Sequence, residues 1–312
     1  MNATRIAIVG PGAIGGLFAC RFAAAGYDVA LLDHDARRAC RISRQGLVLE
    51  EPNGTRRFRV PAAADPRGMG SADVLCLCVK AFDTAEAIRR AQPLIRRETI
   101  VVSLQNGLGN AGIVARFARP DRIVCAATAQ GAIRVNGVRI RHTGFGPTSL
   151  APYIPSGRRA ARRVLGILRD AGFETLFVPD SAALVWGKLV VNAAINPVTA
   201  AWNVVNGAVI ARPALRRIAL AAAREAERVA AARGIALPWC DASAEVEAVC
   251  RATRRNRSSM LQDIRHSRHT EIEAITGAVV AEAHAAGVDV PVNRMLLKRI
   301  RRLERRRTSG TL

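Results

Sequence analysis

Apolar and polar positions alternate in two rhythms along this chain, and the change falls just past its middle. In the first half, short apolar runs are separated by segments of helical period. RIAIVG (5–10), YDVALLDHD (27–35), DVLCLCVK (73–80), TIVVSLQNG (99–107) and RIVCAATAQGAI (122–133) read as strands, with helices such as AIGGLFACRFAAAG and TAEAIRRAQPLI between them. That order predicts a doubly wound, mostly parallel α/β sheet. Asn136-Gly137 suits a tight turn before the strand VRIRHTGFG. A helix over RRAARRVLGILRDAG and a strand over FETLFV close the region near Pro179.

From Ser181 onward the period is helical throughout. Long alanine-rich helices are predicted over 181–203, 212–234, 241–252, 258–286 and 291–306, with no strand signal of comparable quality. The expectation is therefore two domains, an α/β domain over 1–179 and an all-helical one over 180–312 that ends in the basic tail KRIRRLERRR.

The first of those helices carries WGKLVVNAAINPVTAAWNVVNG (186–207), where one lysine, four asparagines and a proline interrupt an apolar surface. A buried polar group without a partner costs roughly 1–3 kcal/mol. Several on one helix call for a loop, a solvated face or a ligand. Lys188, Asn192 and Asn196 are spaced by four and share one face, drifting only about 40° per step. Pro197 is expected to bend the helix, and Asn203 has no evident role. A second polar line, Asn256, Ser259 and Glu271, interrupts NRSSMLQDIRHSRHTEIEAITG. Two polar faces on two apolar helices predict one cleft.

At the other end, the first strand runs through Gly10, Gly12 and Gly15 into a helix, which is GxGxxG in the strand, turn, helix setting of a Rossmann-type dinucleotide site. The helix N-terminus would offer free N–H groups and a positive dipole to phosphates. Asp33 ends the second strand, where a carboxylate bonds the ribose 2′-OH of NAD and repels the 2′-phosphate of NADP. His34, Arg37 and Arg38 pull the other way. Lys80 and Asn106 end strands on the side where such sheets bind ligands.

Composition narrows the function classes. The net charge is +22, but arginines are spread along the chain and aromatic residues are 4% of it, so a nucleic-acid platform is poorly supplied. Lys188, Asn192, Asn196 and Pro197 would be costly in lipid, which argues against a membrane span. No signal core follows Met1, and seven cysteines without a CxxC suggest reduced thiols rather than a disulfide framework or a metal site. A cytoplasmic protein is expected. Of 47 basic residues only Lys80, Lys188 and Lys298 are lysines. Lysine can be tuned by burial to surrender a proton, which arginine cannot readily do.

The glycine turn, VKAF (79–82), LQNGLG (104–109), the 186–207 run and SSMLQDIRHSRHTEIEAITG (258–277) together resemble the ketopantoate reductase (2-dehydropantoate 2-reductase) family over nearly the whole chain. The resemblance implies a Rossmann domain followed by a helical one, and reduction of the 2-oxo group of 2-dehydropantoate to (R)-pantoate, in pantothenate biosynthesis, with NADPH. It also implies roles. Lys188 matches the general acid, Asn192, Asn196, Asn206, Asn256 and Ser259 match substrate contacts, and Glu271 matches an acid on the nicotinamide side. Gly10, Pro11, Gly12, Ala13, Ile14, Gly15, Lys80, Asn106 and Ala132 match cofactor contacts.

The sequence departs from that family at the end of the second strand. NADPH-preferring members commonly carry an arginine where this chain has His34, after a small residue where it has Asp33. NADP(H) is thus the family expectation and NAD(H) the alternative that Asp33 raises. Two rival readings stay open: a related reductase of another 2-oxo or 3-hydroxy acid, and a nucleotide-sensing protein that binds nucleic acid through its basic surface. A homodimer is compatible with the sequence, which fixes no oligomeric state.

Overall fold

The computed structural model describes residues 4–308, with side chains through Arg305; the end of the basic tail lies outside the described residues. By its internal contacts the chain divides into two units, Met1–Gln105 with Gly109–Leu184, and Asn106–Leu108 with Val185–Leu312.

In chain order the first unit comprises β1 (Arg5–Val9), α1 (Ala13–Ala24), β2 (Asp28–Leu32), α2 (Ala36–Gln45), β3 (Leu47–Glu51), β4 (Gly54–Phe58), β5 (Ala62–Ala63), β6 (Val74–Leu77), α3 (Thr84–Arg90), β7 (Ile100–Ser103), α4 (Asn110–Val114), β8 (Ile123–Thr128), β9 (Gly131–Arg134), β10 (Arg139–Gly144), β11 (Thr148–Pro152), α5 (Arg158–Asp170) and β12 (Thr175–Phe177). Eight strands form one sheet in the order β12-β11-β8-β7-β6-β1-β2-β5. It is parallel except where β11 runs antiparallel to β8. The central strands β6 and β7 are buried at every position, as a sheet covered on both faces requires. Cys76 is part of that apolar filling, its thiol pushed up to about 12 by burial. On one face, α1 buries Leu17, Phe18 and Phe22, and the Phe18 ring stacks on Phe173 at 4.4 Å.

A second sheet, β4-β3-β10-β9, was not legible as such. Four of the five β4 residues are exposed, so GTRRF shows no apolar alternation. The run 122–133, which reads as one strand, splits between the two sheets as β8 and β9. The buried His142 of β10 ties the small sheet together. Its Nδ1 lies 2.9 Å from Glu51 Oε1 and its Nε2 2.7 Å from Gln130 Oε1. Arg21 of α1 donates to the same Glu51 oxygen at 2.6 Å.

The helices that follow are α6 (Ser181–Trp202), α7 (Asn206–Ala211), α8 (Pro213–Ala232), α9 (Ala242–Ala252), α10 (Ser259–Arg265), α11 (Ala278–Ala285) and α12 (Pro291–Thr308). All but the first turn of α6 belongs to the second unit. By length and composition α6 could cross a membrane, yet 67% of its apolar window is buried within the chain, which marks it as a core helix. It runs on through Pro197 and stops at Asn203, which adopts φ 52°. Asparagine tolerates that left-handed conformation better than most residues. The Asn203 side chain accepts a hydrogen bond from Arg265 Nε at 2.9 Å, which gives this asparagine a structural role.

The single helix expected over 258–286 is broken. α10 ends where Ser267 turns left-handed (φ 52°) and Arg268 N–H closes back on the Asp263 carbonyl at 2.9 Å. The chain re-enters helix through a π-turn over Glu273–Gly277 before α11. No glycine or proline in HSRHT announces the break, so the helical period hides it. Further on, the buried Glu225 of α8 caps α12, accepting from Val292 N–H and Asn293 N–H at 2.9 Å and from Asn293 Nδ2 at 2.8 Å.

Candidate active site

Sequence-predicted site residues fall in both units. In the first, β1 leads through Gly10, Pro11 and Gly12 into Ala13, Ile14 and Gly15 at the start of α1. The three glycines serve different needs. Gly10 has φ +86°, and a Cβ on Gly15 would stand 2.4 Å from the Gly10 carbonyl, so both are required by the chain itself. A Cβ on Gly12 would meet nothing closer than 4.0 Å. Packing therefore does not require Gly12, and its bare backbone leaves room for a phosphate group to approach closely. No side chain caps α1, whose N-terminus begins at this turn. The turn fits a dinucleotide.

Beside it lies a cavity lined by Gly10, Leu32, Asp33, His34, Val79 and Asp83. The Asp33 side chain is 0% exposed. Arg38 donates to it twice, Nε to Oδ2 and Nη2 to Oδ1, and Asp35 N–H donates to Oδ1 at 3.1 Å. The neighbouring His34 side chain is 73% exposed. Lys80 precedes a short 3-10 turn after β6, its carbonyl accepting from Asp83 N–H at 2.9 Å. Ala132 lies in β9 opposite His142.

In the second unit, Asn106 leaves its own strand behind. Gly107 has φ +87°, and a Cβ there would press within 2.5 Å of the Ala274 carbonyl. That close approach lets Leu108 N–H bond the same carbonyl at 3.0 Å, pinning Asn106–Leu108 to the π-turn after Glu271. Asn106 Nδ2 donates to Glu271 Oε2 at 3.2 Å, and Asn192 Nδ2 donates to Asn106 Oδ1 at 3.5 Å. Glu271 is 5% exposed. Lys188, one turn before Asn192 on α6, is half-buried and feels that carboxylate. Burial pulls its ammonium from 10.5 down to about 8, against the opposing attraction of Glu271. Lys188, Asn192, Asn106 and Glu271 thus form one polar group on an apolar scaffold. It pairs a proton donor of tuned acidity with amides that add no competing charge.

Asn196 is buried, and its carbonyl accepts from Thr199 Oγ1 at 2.9 Å. Thr199 in turn pairs with Ser258 Oγ at 2.6 Å. Ser258, which sequence reasoning passed over for its neighbour, is the N-cap of α10 and accepts Leu261 N–H. A serine just before an apolar helical run was the available signal. Ser259 itself is exposed at the first position of α10. Asn206 opens α7, with its N–H on the Asn256 carbonyl at 2.9 Å and its Nδ2 on Thr253 Oγ1 at 2.9 Å. The residue is 8% exposed, and its Oδ1 is a buried acceptor with no partner in the chain. Such an orphan is costly unless a ligand donor meets it.

The description Ketopantoate reductase PanE/ApbA matches residues 6–154, and Ketopantoate reductase PanE/ApbA C terminal matches residues 180–304. The 2-dehydropantoate 2-reductase of Halobacterium salinarum is 34% identical over 96% of this chain and 99% of its own. The crystal structure of 2-dehydropantoate 2-reductase from Geobacter metallireducens superposes with a TM-score of 0.89 at 26% identity, covering 96% of this chain and 99% of that one. A D-mandelate dehydrogenase solved with NADH and anilino(oxo)acetate gives 0.92 at 23% identity over 98% and 99%, a likeness of fold alone. With both halves matched and a relative aligned from end to end, the chain belongs to the ketopantoate reductase PanE/ApbA family.

Proposed function

We propose that this protein reduces 2-dehydropantoate to (R)-pantoate, with NADPH as its cofactor and Lys188 as the general acid. The observation that carries the reading is the group formed by Lys188, Glu271, Asn106 and Asn192, in which an ammonium held near 8 can both stabilise and protonate an oxygen.

When bound, a reduced nicotinamide would supply a hydride to the substrate's 2-oxo carbon. As that carbon gains the hydride its oxygen becomes an alkoxide, and Lys188 Nζ gives it a proton; the neutral amine then recovers a proton from solvent. Glu271 raises the affinity of Lys188 for its proton and so keeps it charged before the step. Asn192, Asn196, Asn206, Asn256 and Ser259 would bind and orient the substrate, the orphan Asn206 Oδ1 accepting from a substrate hydroxyl. The turn from Gly10 through Pro11, Gly12, Ala13 and Ile14 to Gly15 would hold the pyrophosphate. Asp33 and His34 would border the adenosine ribose. In the α/β unit Lys80 and Ala132 would be further cofactor contacts, and in the helical unit the same reading assigns Asn106 and Glu271 to the cofactor. The reading places the enzyme in the cytoplasm.

The test is cofactor oxidation with 2-dehydropantoate against a panel of 2-oxo acids, for the wild type and Lys188→Ala. 2-Dehydropantoate should have the highest kcat/KM, and Lys188→Ala should lose about 10²–10⁴-fold in kcat. Full turnover by Lys188→Ala would sink the mechanism, and a better 2-oxo acid would replace the substrate.

A further inference from the structure

An acid at the end of β2 ordinarily selects NAD, because its carboxylate accepts the ribose 2′-OH and repels a 2′-phosphate. Asp33 is placed for that, but its surroundings disarm it. Arg38 reaches back from the first turn of α2 and engages both carboxylate oxygens in a two-pronged ion pair, the geometry in which guanidinium binds carboxylate best. Asp35 N–H takes a further position on Oδ1. With 0% exposure, Asp33 presents neither a free oxygen nor an uncompensated charge.

Arg38 is itself held in place. Its N–H donates to Asp35 Oδ1 at 3.0 Å, and its side chain is 15% exposed. Beyond the end of β2, His34 and Arg37 are exposed, and Arg37, Arg41 and Arg44 line a separate basic cavity on α2. The cavity beside the glycine turn is mixed in charge, with Asp83, Glu86 and Arg90 lining it besides His34, so what bears on a ribose substituent is the masking of Asp33, the acid at the end of β2, and not a cationic lining.

We propose that Arg38 is the residue that sets cofactor preference, masking Asp33 so that this site accepts the 2′-phosphate of NADPH. The inference rests on the cofactor half of the reading above and not on its substrate. Arg38 acts through Asp33 and is a positioning residue.

The experiment is a fluorescence titration of NADPH and of NADH without substrate, paired with steady-state turnover of 2-dehydropantoate, for the wild type, Arg38→Met, Arg38→Lys and the double variant Arg38→Met with Asp33→Asn. Methionine keeps the packing and removes the fork; lysine restores a charge without it. The wild type should bind NADPH more tightly than NADH. Arg38→Met should move the ratio of dissociation constants toward NADH by about tenfold or more, Arg38→Lys should move it less in the same direction, and the double variant should return it near the wild-type value. An unchanged ratio in both single variants, or a double variant that stays shifted, would overturn the inference. Should Arg38→Met not fold, Arg38→Lys decides by the same criterion. Shifted binding ratios without turnover of 2-dehydropantoate would defeat the substrate reading and leave this inference standing; turnover with unshifted ratios would do the reverse.

Discussion

Asn106 and Glu271 are 165 positions apart in sequence, yet the amide of one donates to the carboxylate of the other at 3.2 Å. The carboxylate is buried, and Lys188 lies within its field. The acidity of the lysine is thereby coupled to the acid. Replacing Glu271 by Gln keeps the shape of the side chain and removes its charge, which withdraws an attraction that raises the Lys188 pKa. The alkaline limb of the pH profile should then move below the wild-type position. A pH series of kcat/KM for wild type and Glu271→Gln measures this directly, and a limb that stays fixed or moves upward would refute the coupling.

In the wild type the sign follows from the role. Lys188 must carry its proton to donate it, and its ammonium titrates near 8. Activity should therefore hold on the acid side of that value and fall as pH rises through about 8. Lys188→Arg keeps a charge that does not titrate in this range, so its residual activity should be low and without the limb. A wild-type profile flat to pH 10 would exclude Lys188 as the acid.

The glycine turn separates fold from ligand. Gly15→Ala drives a Cβ into the Gly10 carbonyl and should lower the melting temperature before any assay is reached. Gly12→Ala makes only an ordinary contact, 4.0 Å from the Gly10 carbonyl, so its melting curve should match the wild type while cofactor affinity falls about tenfold or more. If Gly12→Ala bound the cofactor normally, the pyrophosphate would not approach there.

How much of this could be read from the residues depended on whether local patterning and tertiary structure agreed. The central strands β1, β2, β6, β7 and β8 and the glycine turn announce themselves, because burial on both faces forces apolar runs, whereas β5 and β11 of the same sheet do not. β4 does not, since GTRRF is almost wholly exposed. The spacing of Lys188, Asn192 and Asn196 was visible on one helix, but the partner of Asn192 was not. Asn106 reaches it only because Gly107 lets the backbone press against Ala274, a contact that no periodicity encodes. The conflict between Asp33 and its basic neighbours was likewise apparent in sequence, and only side-chain geometry showed which arginine meets the carboxylate.

Glu225 offers a control far from the proposed chemistry in sequence and role. Its buried carboxylate accepts three hydrogen bonds at the start of α12. Glu225→Ala should destabilise the fold by about 2–4 kcal/mol, the cost of several buried donors left unmet. Thermal or denaturant unfolding should show the loss, with KM for substrate and cofactor unchanged at temperatures where the variant is folded. A variant as stable as the wild type would mean that the cap contributes little.

The short stretch Asn106–Leu108 makes the helical unit discontinuous in the chain. A gene fragment starting at Val185 would encode Lys188, Asn192 and Glu271 and still lack the amide that joins two of them. The helical half is therefore not a cassette that recombination could move between proteins with its chemistry intact. Any exchange that preserves this polar group must also carry Asn106–Leu108, which lie between β7 and α4 in the middle of the α/β sequence.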